Sequence, residues 1–163
     1  MKVHRLFIAF ISVLLLNFYT AYIVRADVLD DLGQIVDGSL LTDKTEVEDT
    51  VMKLTRGNIL NKGTAKCTNA GDSKVTVSGL TVAHVVCDKL YLSLSLDQYD
   101  SNNKSWSSYE IWSLTKENAS IFLDSYTVDV DPGYYYRVRG VHAAEKGETY
   151  ESVETCTDGI MIN

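Results

Sequence analysis

Cys87–Tyr99 reads CDKLYLSLSLDQY, with a leucine at every second position from Leu90 to Leu96. Lys89, Tyr91, Ser93 and Ser95 fall between them. Successive side chains of an extended chain point to opposite faces, so the four leucines share one face and the polar set shares the other. That alternation is the signature of a half-buried β-strand.

Working outward from this strand, the same texture repeats. Asp100-Ser101-Asn102-Asn103 is a hairpin loop rich in turn formers. Ser105–Leu114 returns, with Trp106, Tyr109, Ile111 and Trp112 as packing candidates. Asn118-Ala119 breaks that run, and Ser120–Val130 resumes through Phe122, Tyr126, Val128 and Val130. Tyr134–Val141 follows, then the turn Glu145-Lys146-Gly147-Glu148 and the closing segment Thr149–Ile162. Upstream, Gly63–Asn69 precedes the turn Ala70–Ser73, and Lys74–Val82 alternates through Val75 and Val77 and then Leu80 and Val82. About seven short strands and no convincing helix predict an all-β fold: an antiparallel β-sandwich with Greek-key connections, or else a small barrel or jelly roll.

Asp131-Pro132-Gly133-Tyr134-Tyr135-Tyr136-Arg137-Val138-Arg139 resembles the turn and sixth strand of fibronectin type III-like and immunoglobulin-like domains. The resemblance implies that Tyr136 is a corner residue, its ring buried and its hydroxyl bonded to backbone a few residues upstream, with Val138 beside it in the core. The next inward place is Gly140, where close approach of another chain segment is expected. On period two, Tyr135, Arg137, Arg139 and Val141 take the outward face. Tyr135, Arg137 and Arg139 are therefore candidates for recognition, together with Trp106 and Tyr109 of the Ser105–Leu114 run. The plainer expectation is that the arginines pair with acids across strands. A broader likeness rests on Arg56-Gly57, Asn69-Ala70-Gly71, Val77-Ser78-Gly79, Cys87-Asp88, Tyr134–Gly140 and Thr157-Asp158-Gly159-Ile160 in that order. Over about residues 56–163 the chain resembles an uncharacterised family of small secreted Gram-positive bacterial proteins, a domain of unknown function. It carries no established activity.

The first residues read as a secretory signal. Met1–Arg5 is a short basic segment, Leu6–Leu16 is apolar, and Val24-Arg25-Ala26 offers small residues for cleavage before Asp27. The expected organisation is a signal peptide at 1–26, an acidic flexible leader at 27–55 with a short helix around Glu46–Leu54, and the sandwich at 56–163. With Thr157–Asn163 neither hydrophobic nor basic, the mature chain is expected to be extracellular without stable membrane anchoring. Loss of Lys2, Arg5 and Arg25 leaves 12 cations against 22 acids, a net charge of −10. Phosphate-rich nucleic acids and anionic membranes repel such a chain, so neither is expected as a partner. An exported chain also keeps disulfides. In a sandwich of this strand order Cys87 and Cys156 share one end, so a Cys87–Cys156 bridge is expected, with Cys67–Cys156 as the next choice.

Few catalytic chemistries fit. There is no Gly-x-Ser-x-Gly elbow, His-Glu-x-x-His pair or phosphate-binding glycine loop. His84-x-x-Cys87 has metal-ligand spacing but lacks a second ligand pair, so no metal and no cofactor are expected, although Asp129 and Asp131 are of the type that binds Ca²⁺. The expected function is a secreted, non-catalytic binding or interaction module for a protein or glycan. The alternatives are a secreted antagonistic effector of the bacteriocin type, and a hydrolase using Asp129, Asp131 and His142.

Overall fold

A computed structural model describes residues 30–53 and 59–163. The chain divides into units 1–32 and 33–163, and every strand described lies in the second. The signal peptide expected at 1–26, its cleavage point and the Arg56-Gly57 motif lie outside the described residues.

The chain is all-β, with no helix among the described residues. Its strands are β1 (Ile35–Val36), β2 (Ser39–Thr42), β3 (Glu46–Met52), β4 (Leu60–Gly71), β5 (Lys74–Asp100), β6 (Ser105–Asp129), β7 (Tyr134–Lys146), β8 (Thr149–Cys156) and β9 (Gly159–Ile162). They form one curled sheet in the order β1-β2-β9-β7-β5-β4-β3, with β6 also on β5 and β8 also on β7. Every pairing is antiparallel except β2 with β9, which makes the sheet mixed.

β5 is the spine. β6 follows one of its edges throughout, while the other edge carries β4 along residues 74–83 and β7 along residues 89–98. Where the alternation predicts two strands, Lys74–Val82 and Cys87–Tyr99, there is one strand of 27 residues. Likewise Ser105–Leu114 and Ser120–Val130 are one strand of 25 residues. The turn signals between them make a corner instead of a break. Val82 pairs with Ile121 and Cys87 with Ala119, so Ala83–Val86 of β5 face the single Ser120 of β6. Asn118 beside them takes a positive φ of 50°, which asparagine tolerates. Three surplus residues curl the sheet, and because three is odd they reverse which parity of β5 faces inward. Val75, Val77 and Ala83 are buried before the corner; Leu90, Leu92, Leu94 and Leu96 are buried after it.

The curl lays β4 over β7 as in a sandwich. The Cys67 thiol reaches the Tyr136 carbonyl at 3.8 Å. The core includes the four leucines, Val75, Val77, Tyr136, Val138, Ile160 and Ile162. The expectation that Leu80 and Val82 face inward is corrected: Gly79 and Thr81 do. A Cβ on Gly79 would lie 2.7 Å from both Leu92 and Leu94, so the leucines occupy the space that a side chain there would need.

Over the described residues 30–53 the flexible leader expected at 27–55 is also corrected, as is its short helix around Glu46–Leu54, since β1, β2 and β3 are strands of the sheet and β3 spans Glu46–Met52. A half-exposed edge strand needs few apolar residues. Val47 is buried, Glu46 pairs with Lys66 at 2.7 Å, and Asp49 accepts the Cys156 N–H at 2.8 Å. The Cys87–Cys156 bridge is absent, and all three cysteines are free thiols. Cys156 pairs with Arg139, whereas Cys87 lies beyond the Lys89–Glu145 pair toward the other end of β7. Eight residues of strand, or ~25 Å, separate the two places. A thiol reagent should label Cys156 in the native protein at once, and Cys67 and Cys87 only after unfolding.

His142 occupies the space between the layers. Its ring nitrogens meet Thr81 Oγ1 at 3.1 Å and Thr155 Oγ1 at 3.0 Å. Gly63 of β4 permits this, because a Cβ there would sit 2.3 Å from the imidazole. Burial lowers the His142 pKa from 6.5 to about 4, opposed in part by Asp49. Between those values the unfolded chain binds the proton and the folded chain does not, so stability falls as pH drops from 6.5 toward 4. We expect a loss of ~3 kcal/mol over that window, measured by urea unfolding at several pH values, and a flatter profile for His142→Gln.

Candidate functional site

The outer face of β7 carries the sequence-derived candidates, and its first half is covered. The β1–β2 hairpin lies over it. Arg137, only 2% exposed, donates from Nε to Asp97 Oδ2 (3.3 Å), from Nη1 to the Asp37 carbonyl (3.1 Å) and Ser39 Oγ (3.0 Å), and from Nη2 to Asp37 Oδ2 (2.9 Å). Its guanidinium stacks 4.5 Å from the Trp106 ring centre, and the Trp106 indole N–H donates to the Val36 carbonyl at 3.0 Å. Tyr135 is fully buried and meets Tyr99 edge-on at 6.2 Å, while Tyr99 meets Trp106 at 5.4 Å. Tyr135, Arg137 and Trp106 therefore form a second small core under the hairpin, and the open recognition face expected from them is corrected.

Asp97 organises this core. The register changes between Leu96–Glu110 and Asp97–Ser108, leaving one surplus residue on β6, and the bulge lies beside the buried carboxylate. Arg139 grips both Asp97 oxygens, at 2.6 and 3.1 Å, and Ser95 donates to it at 2.8 Å. Burial alone would raise the Asp97 pKa, but the hydrogen bonds from Arg139, Ser95 and Arg137 outweigh it and hold the carboxyl below its usual range. The arginines thus pair with an acid across strands, Asp97 lying opposite Arg137 in the register.

The other candidates face elsewhere. Tyr109 meets Tyr136, edge-on at 5.7 Å, in the same β6–β5–β7 layer. Tyr136 is fully buried; its hydroxyl donates to the Asp131 carbonyl at 2.9 Å and accepts from Gln98 at 2.7 Å. Val138 is buried, and its N–H donates to Thr157 Oγ1 at 3.0 Å. A hydrolytic Asp129–Asp131–His142 group is not assembled: His142 is enclosed between two threonines, while Asp129 is exposed beside Lys74 at 3.9 Å. Among the described residues no three His, Cys, Asp or Glu side chains gather closely enough to hold a metal ion.

Beyond Arg139 the outer face opens. Tyr91, Leu92 and Ser93 of β5, Ser113, Leu114 and Thr115 of β6, Val141 and Ala143 of β7 and Tyr150 of β8 line a shallow groove of about 270 Å³. The register sets them side by side: Ser93 lies between Ser113 and Val141, and Tyr91 between Thr115 and Ala143. Tyr150 is 60% exposed and stands 6.0 Å from Tyr91 at 57°. The Tyr91 hydroxyl donates to Glu145 at 2.6 Å, a bond that raises its pKa and fixes the ring. Ser93 and Ser113 share a hydrogen bond of 3.1 Å. The groove offers an aromatic wall, an aliphatic floor and neutral hydroxyls. Reading by sequence placed Tyr91 on this face but missed Tyr150; the available signal was the alternation of Tyr150, Ser152 and Glu154 along β8.

Residues 26–160 match a family of unknown function, DUF6147, and the chain belongs to that family. No curated protein matches it. The match takes in β1–β3 together with the rest of the sheet, through all but the end of β9. Asp97→Asn should leave Arg137 with the exposed Asp37 as its remaining counter-charge and weaken the grip of Arg139. Removing one buried partner of such a network costs on the order of 3 kcal/mol, read as a lowered midpoint in denaturant.

Proposed function

We propose that this chain is a secreted, non-catalytic module that binds neutral glycan on the groove between Tyr91 and Tyr150. The observation that carries the reading is the pairing of an exposed aromatic wall with uncharged hydroxyls in a shallow groove of the outer sheet face. A sugar ring presents C–H bonds to an aromatic face and hydroxyls to Ser93, Ser113 and Thr115, and a groove of this kind meets both demands. The acidity of the chain favours a neutral ligand over phosphate-rich polymers. The basic and apolar run at Met1–Leu16 supports export, and in this reading the mature chain begins at Asp27 and acts outside the cell, free of the membrane. The likeness of Asp131–Arg139 to the fibronectin type III turn and the Gram-positive origin belong to the same reading.

Retention on insoluble polysaccharides and purified cell wall tests it. Tyr150→Ala, a change at an exposed ring, should weaken retention roughly tenfold, the scale of one aromatic stacking contact, while leaving the unfolding midpoint in place. Absence of retention on every glycan tried would discard the reading. A protein captured through the same groove would replace the glycan as its ligand.

A further inference from the structure

Among the described residues β6 pairs only with β5. Among them its other edge runs free of partner strands, which is the feature through which sheets recruit further strands. The opposite side of the sandwich is managed differently. There Asp49 of β3 takes the backbone N–H of Cys156 on β8. On the β6 side, Trp112 stacks on Tyr126 (5.0 Å, 8°) and Lys116 lies 5.9 Å from the Phe122 ring centre. Both contacts join the two halves of β6 across the gap between layers and leave the backbone edge open. Ser105–Glu117 contains no proline, and Ile111 is 61% exposed.

We propose that two copies of this chain pair antiparallel through the β6 edge, centred on Ser113. The sequence around that point is self-complementary. Glu110 stands three residues before Ser113 and Lys116 three after it, so Glu110 of each copy faces Lys116 of the other. Trp112 then faces Leu114 and Ile111 faces Thr115, with no like charges opposed. A slip of one residue would set inward side chains against outward ones. Moving the centre to Trp112 or Leu114 preserves the faces but removes both ion pairs. The two-fold axis stands perpendicular to the sheet, so the joined sheets present both Tyr91–Tyr150 grooves on one continuous outer face. Such an interface repeats one patch on both copies and closes on itself.

Sedimentation equilibrium of the purified protein over a concentration series reads the association. The average mass should rise toward twice the chain mass and rise less at high salt. Lys116→Glu opposes two acid pairs and should weaken association roughly tenfold; Glu110→Lys should do the same. The double variant Glu110→Lys with Lys116→Glu restores the pairs in reverse and should restore the mass. Circular dichroism confirms that each variant is folded. A monomer at every concentration overturns the proposal. So does a dimer indifferent to both single changes, or a folded double variant that stays monomeric. An extended peptide captured on β6 by a monomeric protein would identify a different occupant and overturn it too.

Discussion

The corner at Ala83–Val86 is the constraint on which the rest depends. Three surplus residues on one strand of a long hairpin bend both strands and reverse the inward parity of β5. Without the reversal, the alternation that buries Val75 and Val77 would turn the four leucines outward. With it, one hairpin supplies strands to both layers, and β4 and β7 meet across the core though each pairs with a different part of β5. Close approach of the layers then demands small residues where large ones converge. Gly63 yields to His142, Gly79 yields to Leu92 and Leu94, and Gly140 lies against His142 and Thr155.

The second layer of organisation is polar. A buried arginine is tolerable only when its donors are occupied and its charge is balanced. Asp97, Asp37 and Ser39 do this for Arg137, and Trp106 covers its flat face. The network joins β1–β2 to the middle of the sheet and anchors residues that would otherwise hold few apolar contacts. It also divides the outer face of β7: the part before Arg139 is internal structure, and the part after it is open to a ligand.

The period-two alternation of Cys87–Tyr99 and Ser120–Val130 was enough to read the fold class and the core leucines, because strand burial follows local pattern. The corner was not readable, because Asn118-Ala119 carries the same residue types that end strands. The inward places at Gly79 and Thr81 were hidden for a related reason: their occupants come from across the core, and a strand does not announce what it will face. Acidic composition made 27–55 read as a flexible leader, although Glu46–Met52 needs only Val47 inside once Lys66 and Cys156 meet its acids. Outward alternation at Tyr135 and Arg137 was read correctly, but outward is exposed only if nothing lies on top. The covering hairpin comes from about a hundred residues away. For the groove, Tyr91 was legible as a face residue; Tyr150 joined it only through the β7–β8 register.

The parallel pairing of β2 with β9 has a consequence for the order of events during folding. Leu41 pairs with Gly159 and Thr42 with Ile160, and Ser39 Oγ donates to the Thr157 carbonyl at 2.8 Å. The partners of residues 39–42 thus lie 118 residues further along the chain. Until that pairing closes, the hairpin that shields Arg137 has no strand to dock on, while β5 and β6 can already form their long local ladder. Contacts of such separation are slow to close. Folding is therefore expected to run from the β5–β6 ladder outward, with the β2–β9 pairing completing the sheet and closing the hairpin over Arg137.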